Sequence, residues 1–392
     1  MNITFRKNYF YVFILLYGFS YMCNAVYGTF IPVYLSFIGY SKTNIGILLS
    51  LAPIVAILAQ PLWGTLSDRA KVKNTILKIL IAGSALSVLF YRLSTNFFYL
   101  SFIITCFTFF QTSINPMSDA ITLEYTTIAK WKFGHIRLAG TIGYSSMAAL
   151  AGTLLMGSIY KIFNIYFILS VLTFGTVFLL PKIKGHQFQG KKFAIWSLFR
   201  EKKLLIYMVF SLIIQITIGF YNTFFAIYYQ QLGASNALIG WAAFISGISE
   251  IPFLLWAHVL LKKIKTHHAL LFAGSLASIR WFLLGIVKIP YLVLILQSMH
   301  GLIYIVITVS LVTYINESVP KELRASGQAL NGIFGMGIAR VIGSLFGGYL
   351  SDAFGIRRMF LYNSIFTLAA VIIFGAIFYA HKEFTVRDQS LK

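Results

Sequence analysis

The stretch Asn115–Tyr144, NPMSDAITLEYTTIAKWKFGHIRLAGTIGY, sets two carboxylates, Asp119 and Glu124, near the end of one hydrophobic helix and one cation, Arg137, at the start of the next. Charge inside an apolar chain is expensive, and such groups are kept mainly where they meet each other, water or a ligand. Five residues separate Asp119 from Glu124, which puts them about 140° apart round a helix and on different surfaces. Asp119 sits about 7.5 Å deeper than Glu124 at the helical rise and shares a face with Asn115. Glu124 and Tyr125 are expected at the membrane interface. Asp119 and Arg137 read either as a solute-handling pair or as a structural ion pair joining two helices.

The remainder of the chain supplies the setting. Of 392 residues 58% are hydrophobic and 11% charged, against roughly 25% charged in a soluble domain. Runs of about 20 apolar residues, enough to cross a bilayer, recur from end to end. The composition is that of a polytopic all-α membrane protein. The net charge of +22 comes from 32 basic and 10 acidic residues. The basic residues gather in the loops of one side, which predicts that both termini lie in the cytoplasm. The same loops are suited to anionic lipid head groups. No nucleic-acid motif accompanies the charge. Cys23 and Cys106 both fall in apolar runs, so no disulfide framework is indicated. The apolar run after the basic stretch Phe5–Asn8 is too long for a signal-peptide core and reads as a retained first span.

Twelve spans are expected: Tyr9–Phe37, Thr43–Leu66, Thr75–Tyr91, Phe97–Glu124, Ile136–Tyr160, Phe163–Leu180, Leu204–Leu232, Asn236–Leu261, His268–Val287, Tyr291–Ile315, Leu323–Leu350 and Arg358–Tyr379. Between the sixth and seventh, the run Pro181–Lys203 carries Lys182, Lys184, Lys191, Lys192, Arg200, Lys202 and Lys203 with one acid, Glu201. It reads as a cytoplasmic linker over 182–203, between an N-terminal bundle over 1–181 and a C-terminal bundle over 204–392.

The two halves resemble each other. Span 1 has Tyr17, Tyr21, Asn24 and Gly28 on one helical stripe, and span 7 has Gln215, Gly219, Asn222 and Ala226 at the same spacing. Span 2 opens Ser41-Lys-Thr-Asn-Ile-Gly46 and span 8 opens Ser235-Asn-Ala-Leu-Ile-Gly240, each with a serine suited to a helix N-cap. Matching spans in the same order predict parallel repeats about the membrane normal, with a site between the halves at mid-membrane. Chance similarity among apolar helices is the alternative, since small polar residues are common where such helices meet. Spans 5 (Gly140, Gly143, Ala148, Ala151, Gly152) and 11 (Gly327, Gly332, Gly335, Gly337, Gly343, Gly347) are rich in small residues, which let helix backbones approach and slide.

The loop after span 2, Gly64-Thr-Leu66-Ser67-Asp68-Arg69-Ala-Lys71-Val-Lys73, resembles the signature loop of the major facilitator superfamily. Lys71 stands where that family usually has a second glycine. The resemblance implies two pseudo-symmetric six-helix bundles, and for Gly64, Asp68 and Arg69 a cytoplasmic latch between them. The physics fits, because an aspartate favours a helix N-terminus while an arginine pairs across an interface. A plain basic loop obeying topology is the other reading.

Within that superfamily, Asn115-Pro116-Met117-Ser-Asp119-Ala, Phe133-Gly134-His135-Ile-Arg137-Leu-Ala-Gly140 and Gly143-Tyr144 are similar to the proton symporters of lactose-permease and phenylpropionate-permease type. His135 replaces their usual arginine. The resemblance implies that Asp119 and Arg137 bind solute and that Tyr144 is an aromatic platform. In the second half it covers Glu250 in span 8, Arg280 in span 9 and Gln297-Ser-Met-His300-Gly301 in span 10. It implies a solute-binding role for Glu250, and roles for Arg280 and His300 in linking solute to proton. Ile303 stands where the sugar permease has its proton-carrying glutamate, and Gln297 where it has a lysine. Proton coupling, if present, then falls to Glu250 first and Asp119 second, with Arg280 or Arg340 moving relative to the acid. A dry setting favours the protonated carboxyl and a nearby cation favours the charged one, so such movement changes proton affinity. Static pairing of Glu250 and an interhelical hydrogen bond for His300 are the structural alternatives.

Asn24, Asn222, Tyr144, Asp119, Arg137, Arg280 and His300 are thus the expected solute contacts. Gly185-His-Gln-Phe-Gln-Gly190-Lys191-Lys192 nearly matches a phosphate-binding loop, but Lys192 replaces the magnesium-binding Ser/Thr and no strand precedes it, so no nucleotide is expected. No metal or cofactor is expected, and the charges are spread over both halves rather than gathered as in an enzyme. The expectation is a monomeric, proton-coupled transporter of the cytoplasmic membrane for a small polar or anionic organic solute such as a sugar, nucleoside or aromatic acid. An exporter, or a non-transporting receptor or lipid-handling scaffold of the same fold, are the alternatives.

Overall fold

The structure is a computed structural model that describes residues 3–183, 201–261, 264–320 and 323–380. Six spans are formed by α1 (Ile3–Phe37), α2 (Lys42–Arg69), α3 (Lys73–Leu89), the pair α4 (Phe97–Gln111) and α5 (Ile114–Ala129), α6 (Phe133–Leu154) and α7 (Lys161–Leu179). Six more are α8 (Lys202–Gln231), α9 (Asn236–Leu261), α10 (Thr266–Ile286), the pair α11 (Pro290–Gln297) and α12 (Met299–Ser318), the run from α13 (Arg324–Gly332) to α14 (Ala339–Phe354), and α15 (Ile356–Ala380). Among the described residues, eleven spans are long and apolar enough to cross a membrane. The twelfth is α6, whose His135, Arg137 and many Gly, Ser and Thr residues dilute its apolar character. The fold is two six-helix bundles. Residues 184–200, which include the Gly185–Lys192 run and most of the expected linker 182–203, lie outside the described residues.

Span limits fall within a few residues of expectation, except that span 1 starts at Ile3 rather than Tyr9, span 4 runs on to Ala129 rather than Glu124 and span 5 stops at Leu154 rather than Tyr160. The turns that open the second span of each bundle are alike. Gly39 and Gly233 take positive φ (94° and 89°) two residues before Ser41 and Ser235. Ser41 Oγ accepts from the Asn44 N–H at 3.2 Å and Ser235 Oγ from the Leu238 N–H at 3.3 Å. A left-handed residue followed by a side-chain cap is what a tight helix-to-helix turn requires.

Three spans are interrupted inside the membrane. In span 4, Pro116 has no N–H to give the Thr112 carbonyl one turn back. That carbonyl is taken instead by Gln60 Nε2 of α2 at 3.1 Å, which satisfies a group that lipid could not. Span 10 breaks at Ser298, between Gln297 and His300. Span 11 passes through a π-helical turn at Ile333–Ile338, IFGMGI, just before Arg340; such turns are frequent at functional sites.

The backbone approaches that glycine permits between the two bundles all lie at the end opposite the termini. A Cβ at Gly46 would strike the Ser344 carbonyl, and one at Gly348 the Lys42 carbonyl; Gly152 and Gly240 similarly abut Asn236 and Ala148. Gly64, Gly134 and Gly332, toward the terminus-bearing end, have open space beside them. The bundles are therefore closed together at one end and apart at the other. Inside the C-terminal bundle Gly301 fits directly against the backbone of Ser249 and Glu250. Gly301→Ala is expected to cost about 1–3 kcal/mol by overpacking and to lower the thermal midpoint of the purified protein. Gly28→Ala, with nothing within 4 Å of its Cβ, is expected to leave that midpoint unchanged or raise it.

Candidate functional site

In the N-terminal bundle the charged groups of the opening segment part company. Glu124 is a structural partner: its Oε2 accepts from Lys73 Nζ at 2.9 Å, and the same ammonium lies 3.9 Å from Asp68. Asp68 therefore binds within its own bundle, and Arg69 is exposed. Asp119 faces inward and accepts the Tyr17 hydroxyl at 2.5 Å. Arg137 lies over the Tyr21 ring at 4.3 Å, and Tyr17 stacks on Tyr21 with centroids 6.2 Å apart and planes 9° from parallel. The expected contact between Asp119 and Arg137 does not form: no ion pair joins them among the described residues, and two stacked tyrosines bridge the gap. The reason is placement, since Tyr17 reaches Asp119 first and leaves the guanidinium to the ring face, a favourable cation–π position.

Tyr144 bonds Thr29 through its hydroxyl at 3.3 Å, and Gly247 of the other bundle comes against its ring. Asn24 accepts from Gln111 Nε2 at 2.6 Å and lines a cleft within the N-terminal bundle beside Ser20, Asn115 and Ser170. Its counterpart Asn222 is exposed and makes no side-chain hydrogen bond among the described residues.

The C-terminal bundle holds a continuous polar chain. Arg280, 1% exposed, donates from Nε to the Leu296 carbonyl at 3.2 Å and from Nη2 to Gln297 Oε1 at 2.8 Å. The same Gln297 oxygen accepts the Tyr221 hydroxyl at 2.5 Å. Gln297 and His300, three residues apart, share a helical face, so one span presents both to one guanidinium. Arg280 Nη1 lies 3.1 Å from His300 Nδ1, and His300 Nε2 lies 3.6 Å from Glu250 Oε1. With Nδ1 facing a guanidinium, which only donates, the imidazole accepts there and its N–H points toward Glu250. The Tyr221 and Trp281 rings flank the guanidinium at 4.5 and 5.1 Å, and Tyr304 stacks on His300 at 5.8 Å. Glu250 thus meets Arg280 only through His300. Arg340, the other expected partner, is exposed and pairs with no carboxylate among the described residues.

The two sets face each other. Arg137 interacts electrostatically with Glu250 and Tyr304 across the gap, and Arg340 with Tyr144 and Tyr304. Asp119, Arg137 and Tyr144 from one bundle, and Glu250, Arg280, His300 and Arg340 from the other, converge on one region, whereas Asn24 is engaged elsewhere. Sequence reasoning did not name Tyr17, Tyr21, Tyr221, Gln297 or Tyr304 as site residues. Tyr17 and Tyr21 were on the stripe that carries Asn24, and Tyr304 is one turn from His300, so helical spacing could have found these three. Gln297, three residues before His300, shares its helical face and could have been found the same way, whereas Tyr221 lies on another helix with no spacing that ties it to them. No cluster of three His, Cys, Asp or Glu residues suited to a metal occurs among the described residues.

Residues 10–362 match the model of the MFS_1 like family. Among curated proteins, the chain is 28% identical to the uncharacterized transporter YwbF of Bacillus subtilis, over 87% of this chain and 86% of that one. It is 24% identical to the maltose permease of Geobacillus stearothermophilus, over 85% of each. Among solved structures, that of the nucleoside transporter NupG superposes with a TM-score of 0.82 at 17% identity, covering 94% of this chain and 99% of that one. The twelve-span architecture and the match over most of its length make this chain a member of the MFS_1 like family, a multi-pass membrane transporter of the major facilitator superfamily and not an enzyme.

Proposed function

We propose that the protein is a proton-coupled symporter that carries a small polar or anionic organic solute across the cytoplasmic membrane by alternating access. The observation that carries the reading is the facing of two charged sets, Asp119 with Arg137 and Glu250 with Arg280 through His300, one from each bundle. A solute between them touches both bundles at once, as a rocking mechanism requires. Arg137 and Arg340 make no direct ion pair with a carboxylate among the described residues, which favours a solute bearing an anionic or strongly accepting group. The tyrosines 21, 144 and 304 offer ring faces to a sugar, a nucleobase or an aromatic acid. The maltose and nucleoside carriers among its relatives support polar solutes of this size.

In this reading the terminus-bearing end faces the cytoplasm, so the described conformation is open inward. The bundles divide at the linker 182–203, and the basic loops rest on anionic lipid head groups. The protein works as a monomer. Gly64, Asp68 and Arg69 act as the latch in the opposite conformation, where the free Arg69 meets the other bundle. Glu250 carries the proton. Its surroundings change when Arg137 approaches or withdraws with the N-terminal bundle, and a cation at variable distance is what alters a carboxyl's hold on its proton. An exporter would use the same chamber with the opposite net direction, and a receptor would show no flux.

In proteoliposomes, using the best ligand from a thermal-shift screen of maltose, uridine and 3-phenylpropionate, Glu250→Gln is expected to abolish accumulation driven by an inward proton gradient while solute exchange persists. Accumulation against a gradient by this variant would remove Glu250 from the proton path. Asp119→Asn and Arg137→Lys are expected to weaken solute affinity roughly tenfold or more, the size of a lost charge-assisted hydrogen bond. Isothermal titration with the same ligand checks this, and unchanged affinity in both would leave the pair a structural role only.

A further inference from the structure

The closed end carries two contacts that the solute chamber does not use. Helix α2 starts at Lys42, and the first N–H groups of a helix have no partner within it. Asp352, at the far end of α14 in the other bundle, accepts two of them: Lys42 N–H on Oδ1 at 3.0 Å and Thr43 N–H on Oδ2 at 2.7 Å. The Thr43 hydroxyl donates to the same Oδ2 at 2.6 Å. Ser41, the cap within the chain, reaches only the Asn44 N–H. At the second seam the last carbonyls of α6 are the unpaired groups. Asn236, the first residue of α9, donates from Nδ2 to the Leu155 carbonyl at 3.1 Å, and Gln230 Nε2 holds the Asn236 oxygen at 3.1 Å.

We infer that Asp352 and Asn236 are helix caps supplied in trans, each completing a terminus of the N-terminal bundle from the C-terminal one, and that they set how readily the closed end opens during transport. The inference rests on the alternating-access reading. Lys42 Nζ also lies 3.7 Å from Asp352, but both side chains are about a third exposed (35% and 30%), where an ion pair contributes little. The backbone donors therefore do most of the holding, helped by the positive end of the α2 dipole. The glycines explain why a short side chain suffices: Gly46 and Gly348 bring α14 onto α2 with backbone in contact, so an aspartate at 352 meets Lys42 and Thr43 directly. A helix cap is also of the right size for a gate. It is strong enough to bias a two-state equilibrium, yet water replaces it when the bundles part, so opening leaves no buried group unpaired.

The test is the rate at which a membrane-impermeant maleimide, added outside right-side-out vesicles, labels Ser50→Cys in a Cys23→Ser, Cys106→Ser background. Ser50 is 2% exposed, one turn inward of Gly46 on the α2 face that carries Thr43, and its hydroxyl bonds only the Ile47 carbonyl of its own helix. Asp352→Ala is expected to raise that rate about tenfold, the fold-change of a typical lost cap, and Asp352→Asn to raise it less. Asn236→Ala combined with Asp352→Ala is expected to raise it further. Met156→Cys, already 63% exposed, is expected to label at one rate in every background. Equal Ser50→Cys rates in the parent, Asp352→Ala, Asp352→Asn and Asn236→Ala proteins would overturn the inference. If Asp352→Ala does not accumulate as folded protein, Asp352→Asn and Asn236→Ala decide it. Labelling needs no solute or proton gradient, so a failed assignment of solute or of the proton carrier leaves this result standing, and unchanged labelling in a protein that still transports condemns the caps alone.

Discussion

A guanidinium sealed inside the C-terminal bundle sets the terms for everything around it. Arg280 is almost fully buried, and a buried cation must find compensation close by. Among the described residues no carboxylate touches it. It is held by neutral acceptors, Gln297 and the Leu296 carbonyl, by two aromatic faces and by the His300 nitrogen, and its charge is answered by Glu250 only at one remove. Five consecutive helices of this bundle contribute to the arrangement: α8 brings Tyr221, α9 Glu250, α10 Arg280 and Trp281, α11 Gln297 and α12 His300. The N-terminal bundle solves the same problem differently. Its acid is taken by a tyrosine hydroxyl and its guanidinium by a ring face, so neither charge cancels the other.

Helix packing makes these placements available. The three-residue spacing of Gln297 and His300 aims two side chains of one span at a single partner. The break before Pro116 is tolerable because Gln60 takes the stranded carbonyl. Glycine at the bundle seams allows backbone contact on one side of the membrane and leaves the other side apart. The serine-capped turns after Gly39 and Gly233 repeat in both halves, so the internal repeat is one of backbone conformation as well as of sequence pattern.

Much of this was legible in the sequence. Apolar runs and turn residues locate the twelve spans, α6 among them although its polar residues thin the apolar signal. Asp119 and Arg137 stood out as charge in an apolar stretch, and Glu250, Arg280 and His300 through the resemblance to the proton symporters. What the residues could not convey is who reaches whom first. Helical phase puts Asp119 and Arg137 on facing helices, but only the position of α1 shows that Tyr17 and Tyr21 come between them. Gln297 looked like a lost lysine, and only the fold shows that its oxygen is taken by both Arg280 and Tyr221. Asn24 and Asn222 occupied matching positions in the two halves, yet one is spent on Gln111 and the other stands free.

The seat of Gly301 against the Ser249 and Glu250 backbone has a mechanical corollary. The Gly301 N–H also donates to Ser249 Oγ at 2.9 Å, so the helix that bears the acid and the helix that bears the imidazole are riveted together at the very residues concerned. Acid and imidazole then travel as one rigid body and cannot retune each other as that body tilts. Whatever alters the acid from one half of the cycle to the next has to arrive from across the divide, carried by the opposing bundle or by the cargo itself.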